Sequence, residues 1–172
     1  MKTSTLIPLR FVAALAAALL ALTASAQMPA PSLSHGDKSF IEKASKAGQE
    51  EIDISQAVVA RTMNPDVKAF AQMMIDDHSA ANTALAGIAS GKGVETPVKG
   101  MGETEKWSKK SAYDLDKDYV EKMVSDHKEA VELFQKEADK GSDFDVKGFA
   151  RDTLPKLQHH LEMVLDLKKA MK

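Results

Sequence analysis

The chain has 172 residues, a formal net charge of -2 and no cysteine. That length holds one domain with a substantial core and is too short for two ordinary ones. Without cysteine there are no disulfides, no thiolate metal sites and no lipid-modified thiol, and without a basic excess nucleic acid is an unsuitable partner.

Lys2 and Arg10 supply a positive start, Phe11 to Leu22 an unbroken apolar stretch, and Ala24-Ser25-Ala26 the small-residue pattern of a signal-peptidase site. Residues 1–26 are therefore expected to be a secretory signal peptide, because an apolar core of about a dozen residues is short of the ~20 that span a bilayer. No later apolar run approaches bilayer length, so after cleavage only peripheral association with an envelope surface is open to the protein.

Residues 27–36 carry Pro29, Pro31 and Gly36 and read as a disordered lead-in, and residues 37–172 read as a four-helix bundle. In the first hairpin, 38–90, Ser39 and Glu42 offer a capping box, and Phe40, Ala44, Gly48, Ser55 and Val58 recur at helical spacing to about Thr62. Asn64-Pro65 stops that helix and caps the next, whose stripe is Val67, Phe70, Ala71, Met74, Ala81, Leu85 and Ile88. Gly91-Lys92-Gly93 ends it, and a crossover, 91–114, carries a short helical segment around Trp107. The second hairpin, 115–171, has one helix on Val120, Met123, Val131, Phe134 and Ala138, a stop at Gly141, and a last helix on Val146, Phe149, Leu157, Leu161, Val164 and Leu165. Pro155 inside that helix predicts a kink just before His160. No segment alternates with period two, so the fold class is all-α.

An internal repeat relates the hairpins. Asp66-Val-Lys-Ala-Phe-Ala returns as Asp145-Val-Lys-Gly-Phe-Ala, and Phe40-Ile-Glu-Lys as Tyr119-Val-Glu-Lys, both at an offset of 79 residues. Antiparallel neighbours in bundles need only about 2–8 connecting residues, whereas residues 91–114 provide about two dozen. Two repeated hairpins joined by a long crossover are the ferritin-like arrangement.

Each helix points one ionisable group inward: Glu51, His78, His127 and His160 all interrupt an apolar stripe. Counting at 1.5 Å per residue from the hairpin turns places all four in the middle third of a bundle ~38 Å long. A lone charge among Met, Val and Leu costs several kcal/mol, so these groups must pair with one another or hold a cation. The first alternative is a hydrogen-bonded polar layer. The second is a mononuclear Glu/His site for one transition-metal ion such as zinc, iron, manganese or copper. Separations beyond ~7 Å between the ring nitrogens and the Glu51 carboxylate exclude a shared ion, because metal–ligand bonds are ~2.0–2.2 Å. Asp77 and Asp126, each directly before a histidine, are candidates to orient an imidazole from outside, although a neighbouring helix position points ~100° away, towards solvent.

A di-iron carboxylate site does not fit. It requires Glu-x-x-His on two helices, but Ile75 and Leu157 stand three residues before His78 and His160, and Ala130 is the repeat mate of Glu51. Met73, Met74, Met123 and Met163 sit on or beside the stripes, where methionine is ordinary core filler. No phosphate-binding glycine loop, nucleophile elbow or H-E-x-x-H motif occurs, and no catalytic residue is assigned.

Asn64-Pro-Asp-Val-Lys-Ala-Phe-Ala, Ile75-Asp-Asp-His-Ser, Val124-Ser-Asp-His-Lys, Leu133-Phe-Gln-Lys-Glu-Ala, Thr153-Leu-Pro and Gln158-His-His-Leu resemble the bacterial exported family called domain of unknown function 4142. The resemblance spans about residues 38–168. It implies a ferritin-like four-helix bundle in the periplasm or at the outer membrane of a Gram-negative envelope, with no established activity. The family's recurrent inward positions fall on Glu51, His78, His127, Glu137 and His160, which adds Glu137 to the groups expected around the polar layer. The sequence thus supports two readings: a non-enzymatic binding or stress-related envelope module with a structural polar layer, or a metal-binding bundle with Glu51, His78, His127 and His160 as ligands.

Overall fold

The structure is a computed structural model that describes residues 33–97 and 103–171, all within one compact unit. The expected signal peptide and the lead-in before Leu33 lie outside the described residues. Five helices follow in order: α1 (His35–Val59), α2 (Pro65–Ser90), α3 (Glu103–Ser108), α4 (Ala112–Lys140) and α5 (Phe144–Ala170). No strand occurs among the described residues. The fold is an all-α, ferritin-like four-helix bundle made of two hairpins.

Local chemistry sets the helix starts. Asn64 and Asp143 each accept from two backbone N–H groups of the following turn, capping α2 and α5, with Pro65 leading α2. The start of α1 differs from the capping box expected at Ser39 and Glu42. Ser34 accepts from the Asp37 backbone N–H and donates its hydroxyl to the Asp37 carboxylate, so the same device operates one turn earlier and His35 and Gly36 are helical. Likewise Ser111 caps α4, which begins at Ala112 rather than Leu115. Helix α5 runs unbroken through Pro155.

Contacts at the two ends of the bundle fix the topology. At the end of α1, the Arg61 guanidinium donates to the carbonyls of Trp107 (3.0 Å) and Lys110 (2.6 Å), just ahead of α4. Beyond α2, the Lys92 ammonium reaches Asp143 (2.8 Å) and Asp145 (2.9 Å) at the start of α5. Helix α4 therefore starts where α1 ends, and the connection from α2 travels the length of the bundle. Along it, α3 packs on α1 and buries Trp107 edge-on to Tyr119. With α1 against α2 and α4, and α5 against α4 and α2, the four long helices close a ring of antiparallel neighbours.

The apolar core comes in two parts. One gathers Ile54, Val58, Phe70, Met74, Met123 and Val164, and the other Phe40, Ile41, Leu85, Phe134, Val146 and Leu157. Between them in the sequence of every long helix stands one of the four inward ionisable residues, all buried.

The end of the bundle that carries the α4–α5 turn is held by charge. Asp37 accepts from the backbone N–H groups of Ser142 (2.9 Å) and Asp143 (3.2 Å), tying the first turn of α1 to that connection. Burial raises its pKa, but the Ser34 hydroxyl and these N–H groups outweigh burial and hold it below the usual 3.8. Glu137 on α4 meets Asp37 here. Burial, Asp37 and Asp143 all push its pKa up, against a weaker opposing pull from Lys147, to about 7. The folded state thus holds a proton on Glu137 more tightly than the unfolded chain does. The stability this contributes is fully present below pH 4.5, the ordinary value, and is lost as the pH rises to about 7. Asp37 acts in a separate window, below pH 3.8, where its contribution is lost as the pH falls. Melting curves of the wild type and Glu137→Gln at intervals from pH 4.5 to 7.5 should diverge, with the variant gaining relative to the wild type as the pH rises. A constant difference across that range would contradict the assignment.

Candidate metal centre

Each long helix supplies one side chain to a layer at mid-height: Glu51 from α1, His78 from α2, His127 from α4 and His160 from α5. A metal-ligating atom of each histidine lies within 4.8 Å of the others. The Glu51 Oε2 atom is 2.8 Å from His78 Nε2 and 3.8 Å from His127 Nε2. His127 Nε2 and His160 Nδ1 are 3.4 Å apart. All these separations fall inside the ~7 Å limit for sharing one ion.

The outer nitrogens determine what the inner ones can do. The Nδ1–H of His127 donates to the Met123 carbonyl at 3.0 Å, since a carbonyl can only accept. The Nε2–H of His160 donates to the Asp77 carboxylate at 2.8 Å, and that carboxylate also accepts from Lys156 Nζ at 2.6 Å. Burial works against an ionised Asp77, but Lys156 and His160 outweigh it and keep the pKa below the usual value, so the group is an acceptor only. Both rings therefore carry their one neutral-state proton outwards, and two bare lone pairs face each other across 3.4 Å. Only an added positive charge can join them.

A proton is poorly suited to that place. Burial, with the neighbouring histidines, pushes His160 down to about 4 despite Asp77, and burial also drives His127 below its usual value. The other two members behave as a charge pair. Burial disfavours both ions, yet His78 and His127 bring Glu51 down to about 2, and Glu51 lifts His78 above its ordinary value. Even so, among the described residues neither Glu51 Oε2 nor His78 Nε2 has an aligned hydrogen-bond partner, although they are 2.8 Å apart. They lie close to each other without pointing at each other. Two nitrogens bound tetrahedrally at 2.0–2.1 Å stand about 3.4 Å apart, the spacing of the His127–His160 pair. Gathering all four groups around one ion needs movements of about 1 Å.

The expected outer groups divide. Asp77 does orient an imidazole, but the ring belongs to His160 across the α2–α5 contact and not to its neighbour His78. Its expected solvent-facing placement is corrected, because the side chain leaning away from its own helix's stripe meets the next helix. Asp126 instead pairs with Lys122 (2.9 Å), which also holds Glu50 (3.1 Å), on the α1–α4 face. Glu137 does not belong to the layer: ten residues beyond His127 is about 15 Å along α4, and its partner is Asp37. Lys156, which anchors Asp77, was not singled out by sequence. Its one signal is its position four residues before His160, on the same helix face.

A family model described as domain of unknown function (DUF4142) matches residues 22–167. The chain belongs to that family. Its bundle is also similar in structure to two solved proteins. A DUF305 fragment from Deinococcus radiodurans superposes with a TM-score of 0.71 at 12% identity, covering 81% of this chain and 99% of that one. CopM in its Cu(I)-bound form superposes with a TM-score of 0.67 at 15% identity, covering 78% of this chain and 96% of that one. No curated protein matches the sequence. At these identities the likeness establishes the DUF4142 chain's fold and leaves its site to be judged on its own residues.

Removing the Glu51 charge should release His78. In metal-free Glu51→Gln, the His78 pKa is expected to fall from above 6.5 to below it, because burial is then opposed only by Asp77. Imidazole resonances followed by NMR titration measure this. An unchanged His78 value would show that the pair is not coupled as described.

Proposed function

We propose that this protein binds one divalent transition-metal ion in the core of its bundle through Glu51, His78, His127 and His160. The observation that carries the proposal is the 3.4 Å confrontation of two bare ring nitrogens whose outer N–H groups are already committed. A purely structural polar layer should place a donor against an acceptor at each contact. This layer places acceptor against acceptor beside an ionised carboxylate.

The donor set narrows the ion. Three imidazoles and one carboxylate suit borderline divalent ions, among them zinc, copper(II), nickel and iron(II), with copper(II) held most tightly and zinc favoured by tetrahedral geometry. Glu51 offsets one charge of a dication directly, and Asp77, shared with the Lys156 ammonium, offsets part of the other through His160. The similar bundle of CopM, solved with Cu(I) bound, supports metal handling on this fold. The nitrogen and oxygen ligands here favour the divalent state over softer Cu(I). Asp77, tying His160 to Lys156, fixes the ring's tautomer and raises its basicity as an outer carboxylate does in zinc–histidine sites. In an exported protein, as the N-terminal sequence predicts, such a site uses ligands that no oxidant converts to disulfides.

Purified protein incubated with Zn(II) and desalted should retain about one equivalent by elemental analysis and melt at higher temperature. At free metal 100-fold above Kd the gain is about 2.7 kcal/mol. Less than a tenth of an equivalent, with no thermal shift from any first-row divalent ion, would refute the site. Asp77→Asn should weaken affinity about 10- to 100-fold while leaving the stoichiometry at one. Isothermal titration separates that loss from the wild type, and equal affinity would show that Asp77 does not support the site.

A further inference from the structure

The layer's two sides are built differently. One turn along each helix on the side towards the α1–α2 connection stand Ile54, Met74, Met123 and Val164, which are buried and large. One turn along on the other side stand Gly48, Ala81, Ala130 and Leu157, three of them small. Four helices held apart by larger residues elsewhere cannot close over such a layer, and a cavity of about 30 Å³ results. Its walls include Gly48, Ala81 and Ala130 together with Glu51, His78 and His160.

Small residues alone account for a gap and not for a site. A second observation is polar. Glu51 Oε2 and His78 Nε2 are the layer's two atoms without an aligned partner among the described residues, and their side chains, 3% and 8% exposed as residues, line this cavity. The rest of the wall is mainly apolar, with Asp77, Asn82, Thr153 and Lys156 also on it, so a guest meets Glu51, His78, His160 and the ion they hold with few other polar groups beside them. His127 does not line the cavity. An ion held by all four residues thus turns towards the cavity the face framed by Glu51, His78 and His160. Zinc and copper readily add a fifth ligand to such a face.

We infer that this centre keeps an exchangeable coordination position, opening on the cavity, for a small monodentate donor such as water, hydroxide or a linear anion of two or three atoms. The inference rests on the proposed metal site and extends it from storage of an ion to binding of a second ligand on it. Size sets the class: about 10–15 Å³ of such volume holds one water, so ~30 Å³ admits roughly two waters or one ligand of azide's length. The same volume excludes bulkier anions.

Azide added to Cu(II)-loaded protein tests this directly. A charge-transfer absorption should grow in and saturate at one azide per copper. Ala81→Val and Ala130→Val, which fill the cavity from α2 and α4 and leave all four ligand residues in place, should each weaken azide at least tenfold while copper remains at one equivalent. Two variants on different helices guard against one that fails to fold. One equivalent of copper with no azide band in the wild type would overturn the exchangeable position and leave the metal site standing. A band that neither variant weakens would place azide elsewhere and overturn it too. Absence of bound copper would refute the metal site, and this inference with it.

Discussion

Two histidine rings that have each spent their proton outwards impose the condition that organises this molecule's centre. Met123 and Asp77 hold the Nδ1–H of His127 and the Nε2–H of His160, leaving the facing nitrogens as bare acceptors at 3.4 Å. In water such a contact would dissolve into hydration. Inside a bundle, where both rings are buried, it persists only if a positive charge joins them or if packing holds it against repulsion. Glu51 and His78 complete the layer without resolving it, being close in space and poorly aligned. Asymmetric pinning of the outer nitrogens converts four mid-helix residues into a coordination set.

The fold makes this possible through its connectivity. A two-residue or ten-residue link between hairpins would have joined α2 directly to an antiparallel neighbour. The long return along α1 instead makes α4 start beside the end of α1, and every neighbouring pair in the ring is antiparallel. Trp107 and Arg61 fasten that return at one end and Lys92 with Asp143 at the other, where Asp37 also ties α1 to the α4–α5 turn. With both ends clamped, residues near the middle of each helix have little freedom to slide. A site built on four clamped helices is stiffer than one built on loops, which suits ligands that must meet within a few tenths of an ångström. The apolar clusters on either side of the layer confine any water at it to the small cavity beside Gly48, Ala81 and Ala130, which strengthens the electrostatic interactions the layer makes.

Much of this was legible in sequence because helical spacing is a strict ruler. Positions 51, 78, 127 and 160 fall on apolar stripes at similar depth, so their meeting follows once two hairpins and a crossover are recognised. Asn64-Pro65 marked a helix start for the same reason the structure uses it: a short acceptor satisfies the first free N–H groups. What could not be read were contacts between helices. Asp77 points away from its own helix's stripe, and only the placement of α5 against α2 reveals that it meets His160. Glu137 joined the expected layer only through the family resemblance, whose recurrent inward positions signal burial but not company. Its partner, Asp37, sits in a first turn that begins earlier than the Ser39–Glu42 pattern suggested. The cavity was likewise hidden, since Gly48, Ala81 and Ala130 become a gap only when they share one level across four helices.

X-ray absorption at the zinc edge of protein loaded with one equivalent of Zn(II) puts the central claim to its most direct test. The expected spectrum is that of a single ion with a short shell of about four nitrogen and oxygen atoms at ~2.0–2.2 Å, and the outer-shell scattering of three imidazole rings. Loss of one ring's contribution in His127→Ala would tie that shell to this layer. A spectrum with oxygen neighbours only and no imidazole signature would contradict it.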